Sequence, residues 1–119
     1  MPTPPGKPAS IRARIRRDPQ ATAAANTPRA AKRAINQRDF ETAKRSLKNA
    51  LRLDDRSAEG FNLAGVVAEL SGDFRIAARY YEQALRLNKD FAPAQQNAKR
   101  IHELAQRGTS NQPIALAAD

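Results

Sequence analysis

Between Thr27 and Arg107 apolar residues recur at steps of three and four, the signature of helices with one buried side. Ala30, Ala31, Ala34 and Ile35 mark a short first helix that ends near Gln37. Phe40, Ala43, Leu47, Ala50 and Leu51 form the stripe of a second, with Lys44, Lys48 and Arg52 on its solvated side. Phe61, Ala64, Gly65, Ala68 and Leu70 give a third, which stops at Ser71-Gly72. Phe74, Ala77, Tyr81, Ala84 and Leu85 give a fourth, with Tyr81 read as core and Tyr80 as half-exposed. Ala94, Ala98, Ile101, His102 and Ala105 face inward on a fifth. Thr27, Asp39, Ser57, Asp73 and Asp90 stand at the helix starts as N-caps, and Gly108 stands past the last end. Pro28 and Pro93 are tolerable because each falls in a first turn. The result is an all-α chain of five helices. Its turns are short enough to force antiparallel neighbours.

The pattern also repeats. DFETAKRSLKNALRL at 39–53 returns as DFRIAARYYEQALRL at 73–87, offset by 34 residues without a gap. Small residues at Gly65, Ala77 and Ala84 allow close helix approach, and Phe61, Phe74 and Tyr81 fill the space between them. The retained residues are packing residues. Functional content is expected where the copies disagree.

This period and spacing resemble the tetratricopeptide repeat family. Phe61, Ala64-Gly65 and Ala68 match its W-x₂-L-G-x₂-Y pattern, Ala77 and Tyr81 its A-x₃-F, and Gly72-Asp73-Phe74 its inner turn. The first unit is more degenerate. Asp55 and Lys89 stand where the family closes a unit with Pro. The resemblance covers 27–107: a first repeat at 27–57, a second at 58–91 and a capping helix at 92–107. Residues 1–26 form a basic arm expected to be disordered, and 108–119 a flexible tail. The fold implied is a short right-handed α-solenoid of stacked helix pairs.

The resemblance further implies a concave groove that takes an extended peptide or helix of another protein. Its rows would be Pro28, Asn62 and Gln96; Lys32, Val66 and Arg100; and Asn36, Leu70 and Leu104, with Glu69 and Glu103 at the edge. The two cations, Lys32 and Arg100, suit a ligand carboxylate beside an apolar side chain. The groove does not match the family's clamp for chaperone C-termini. The implied function is that of an adaptor. Two and a half units leave an apolar end around Ile101, Leu104 and Ala105. Residues 114–118, a second copy in a weak homodimer, or a partner could cover it.

Charge adds an alternative. The net charge is +9, and residues 1–57 hold all of it, with fourteen Lys and Arg against five acids. Arg12, Arg14, Arg16 and Arg17 are the densest stretch. They could bind phosphate bidentately, so a nucleic acid or an anionic surface is the alternative partner. No stacking aromatics or recognised nucleic-acid motif accompany them. The chain has no cysteine, which excludes disulfides and thiolate metal sites. The lone His102 reads as a partly buried structural residue. Asp54-Asp55 reads as a solvated helix stop, and no phosphate-binding loop occurs. Neither catalysis, a cofactor nor a metal is expected. No apolar run is long enough to span a membrane, and no secretory signal is visible, so a cytoplasmic location is expected.

Overall fold

The computed structural model describes residues 26–116, and among them the fold is all-α, without strands. It comprises α1 (Pro28–Asn36), α2 (Phe40–Leu53), α3 (Ala58–Leu70), α4 (Phe74–Leu87) and α5 (Ala92–Arg107). The basic arm, with Arg12, Arg14, Arg16 and Arg17, lies outside the described residues. Four helices begin on side-chain caps. Thr27 Oγ1 accepts from the Ala30 N–H at 3.1 Å, and Ser57 Oγ from the Gly60 N–H at 2.9 Å. Asp39 and Asp73 each accept from the third residue onward at 3.2 Å. The Thr42 hydroxyl also donates to Asp39 at 2.6 Å, which holds that carboxyl below its usual range.

The 34-residue period is written in the backbone as well as in the letters. Helices α2 and α4 have 14 residues each, in register with the repeat. The Asp39 N–H donates to the Ala34 carbonyl at 2.8 Å, and the Asp73 N–H to the Ala68 carbonyl at 2.8 Å. The residues that end α2 and α4, Asp54 and Asn88, share an extended conformation, at φ −145° and −149°. The inner turn needs a left-handed residue. Gly72 supplies it at φ 85°, and Arg38 takes the same role at φ 62°.

Each helix packs on its sequence neighbour, and α3 also contacts α1 and α5. Helix α3 therefore touches all four others, which explains why Leu63, Val66 and Val67 are buried on more than one of its sides. Ala31, Ala34, Ile35, Ala43, Leu47, Ala77 and Tyr81 complete the core around it. Gly65 is required there. A Cβ at this position would lie well inside contact distance of the Tyr81 ring.

Four sequence expectations change. Phe74, assigned to the core stripe, is 49% exposed, whereas its repeat mate Phe40 packs on the core. Phe74 opens α4, and only α5 follows it, so less chain is available to cover it. His102 and Ala105 are exposed rather than on the packed side of their helix. Helix α5 starts after Phe91 with no side-chain cap, so Asp90 does not cap it. Finally, residues 109–116 do not project as a free tail. They lie back over α3 and α5.

Candidate functional site

Two neighbouring helices create the site because α3 and α5 present polar residues where they meet. Asn62 and Asn97 are fully buried, and Asn97 Nδ2 donates to Asn62 Oδ1 at 2.7 Å. Further along, about one turn on α5 and two on α3, Arg100 and Glu69 form an ion pair with each side chain 6% exposed. Arg100 Nε donates to Glu69 Oε2 at 2.8 Å, and Arg100 Nη2 donates to Glu69 Oε1. This two-pronged geometry is the one in which Arg and a carboxylate bind most strongly. The Tyr81 hydroxyl, from α4, donates to Glu69 Oε1 at 2.8 Å. Burial, and then this hydrogen bond to an anion, push the Tyr81 phenol far above its ordinary pKa. Among the described residues no buried side-chain nitrogen or oxygen lacks a partner.

The remaining donors and acceptors of this seam go to the main chain of 113–115. Gln96 Nε2 and Arg100 Nη1 both donate to the Pro113 carbonyl, each at 2.7 Å. Asn62 Nδ2, at 3.1 Å, and Asn97 Nδ2, at 2.7 Å, both donate to the Ala115 carbonyl. The Ala115 N–H donates to Asn97 Oδ1 at 2.8 Å. Asn97 thus pairs with both main-chain groups of one residue, as a neighbouring strand would. Arg100 Nη1 also donates to Asn97 Oδ1 at 2.8 Å, which orients the amide. Leu116 then packs on the core.

This arrangement has a clear chemical preference. The charge of Arg100 is matched by Glu69, so the seam offers donors to neutral carbonyls rather than a free cation to a carboxylate. The carboxylate-binding expectation drew on Lys32 and Arg100 as two cations of one groove, and here Arg100 is paired with Glu69. Of the groove residues expected from sequence, the seam brings together Asn62, Glu69, Gln96 and Arg100, with Val66 buried in the adjacent core. Glu69 is part of the buried network and not an edge residue. Lys32 and Asn36 lie elsewhere, beside a shallow depression on α1 lined also by Arg29, Arg33 and Gln37. Asn97 was missed. The 34-residue register pairs Asn62 with Gln96, and Asn97 is one position beyond it.

A separate cleft of about 590 Å³ opens on a different face of α3. Leu47, Leu51, Phe61 and Ile76 form its apolar walls, and Lys44, Lys48 and Arg52 lie along one edge.

No protein-family model matches the chain, and no curated protein is significantly similar to it. No helix among the described residues is long and apolar enough to cross a membrane.

Proposed function

We propose that this chain is a protein-interaction module whose α3–α5 seam takes an extended peptide by its main chain. The observation behind this reading is the grip on residues 113–115. Four side chains hydrogen-bond to that segment through its backbone atoms, in the manner of peptide recognition by strand addition. The 34-residue period and the tetratricopeptide-like spacing agree with it, since helical-repeat arrays serve as scaffolds that hold peptides. The fold is read as two stacked helix pairs and a closing helix, and the module as a non-catalytic cytoplasmic adaptor without cofactor or metal.

The test is a titration of the full chain, followed by NMR of the Asn62 and Asn97 side-chain amides. The probe is a nitroxide-tagged synthetic peptide with the sequence of residues 109–119, with a tagged scrambled peptide as control. Both amides are expected to broaden with the first peptide only, and Asn97→Ala should abolish the broadening at Asn62. Amides left sharp at saturating peptide would reject the site.

A second reading draws on the cations. Arg29, Lys32 and Arg33 border the depression on α1, directly after the arm that bears Arg12, Arg14, Arg16 and Arg17. This surface and arm are suited to a nucleic acid or another anionic surface. Binding of that kind weakens steeply with salt, whereas main-chain recognition in the seam does so little.

A further inference from the structure

The seam already has an occupant, and it comes from the same chain. Gly108 ends α5 in the left-handed conformation at φ 75° and turns the backbone off the helix. Ser110 Oγ donates to Glu103 Oε2 at 3.2 Å and accepts from the Gln112 N–H at 3.1 Å, which folds the connecting residues back. From Pro113 the chain runs along the seam, and carbonyls two residues apart receive the donors of α3 and α5. A spacing of two is that of an extended strand.

We propose that residues 109–116 are a built-in competitive plug. They fill the seam in cis, and a partner binds only by displacing them with an extended segment of the same chemistry. This rests on the seam being a peptide site, as inferred above.

Three features make the plug replaceable. Apart from the Ser110 hydroxyl on Glu103, its polar contacts to α3 and α5 are made by main-chain atoms, two carbonyls that every residue has and one N–H that every residue but proline has. Its side chains anchor it little, since Pro113 is exposed and Ile114 is 38% exposed, while Leu116 alone joins the core. Its removal strands no charge, because Arg100 keeps Glu69 and Asn62 keeps Asn97.

The same features define the competitor. It must offer two carbonyls spaced as those of Pro113 and Ala115, with a free N–H on the second residue. An apolar residue follows, as Leu116 does. The second residue is small, because its backbone lies against two buried asparagines. The stretch is uncharged, because the seam has no unmatched cation to receive an anion.

The experiment compares the wild-type full chain with Ala115→Pro, which deletes the N–H that Asn97 accepts. Each is titrated against a fluorescein-labelled peptide of residues 109–119, and binding is read by anisotropy. If the plug fills nine seams in ten, the wild-type chain binds about tenfold more weakly than its free seam, and the variant recovers that factor. The peptide carrying the same Ala→Pro change should bind neither chain. Circular dichroism checks that the variant keeps its helices. Should it not, Leu116→Ser, which removes the core anchor, takes its place.

Equal affinity of both chains for the peptide would overturn the plug and leave the peptide site standing. No binding to either folded chain would overturn the peptide site itself. Light scattering that finds wild-type dimers, dispersed by Ala115→Pro, would overturn the cis assignment, since the segment would then fill the seam of a second copy.

Discussion

Tyr81, Glu69 and Arg100 show how much depends on a few atoms. One carboxylate accepts from a phenol on α4 and from a guanidinium on α5, so a residue of α3 ties three helices together. A hydrogen bond to a buried ion contributes about 1.5–3 kcal/mol. Tyr81→Phe should cost roughly that amount in urea unfolding, with the ring packing kept. The pH response should differ as well. The fold favours the neutral phenol, so its contribution is complete below the ordinary tyrosine pKa near 10 and shrinks as pH climbs above it. Between about pH 9 and 12, wild type should lose stability faster than Tyr81→Phe; parallel curves would show that this phenol is not coupled to folding. At this scale the sequence was partly legible. Tyr81 and Phe74 occupy equivalent-looking stripe positions, yet one is fully buried and the other half exposed. A stripe fixes direction around a helix axis, and burial also needs a neighbour at that height along it.

At the scale of elements, legibility was high wherever a cap or a period supplied the signal. The starts of α1 to α4 follow from Thr27, Asp39, Ser57 and Asp73, and the ends of α2 and α4 from the repeat. The start of α5 was misread, because Asp90 looks like a cap while the helix opens one residue later, after Phe91. Arg38 shows a backbone that repeats where its letter does not. It holds φ 62° in a turn where Gly72 is free of steric cost. Arg38→Gly should therefore stabilise the chain by up to about 1 kcal/mol, read as a higher urea midpoint with an unchanged slope. A lower midpoint would show that the Arg38 side chain contributes more than its backbone costs.

For the whole molecule, the folding of the last described residues onto α3 and α5 is what the letters concealed. Side-chain amides that grip carbonyls leave no pattern in the gripped segment, since every residue has a carbonyl. Asn62 and Gln96 were legible through the repeat, and Asn97 was hidden one step out of register. The closure also predicts a dynamic signature. In the intact chain the Ala115 amide should exchange with solvent more slowly than the exposed Asn111 amide, and Asn97→Ala should erase the difference. Equal rates in wild type would mean that the segment is not held.

The brevity of the link between Gly108 and Pro113 sets the terms on which anything else enters the seam. A ligand tethered by so short a connection acts at an effective concentration on the order of millimolar. A dilute free peptide of equal intrinsic affinity is outnumbered at every encounter, however well it matches. A partner that first holds the protein elsewhere raises its own local concentration to the same range. On the plug proposal, access to the seam is thus a contest between two tethers, and avidity selects the winner.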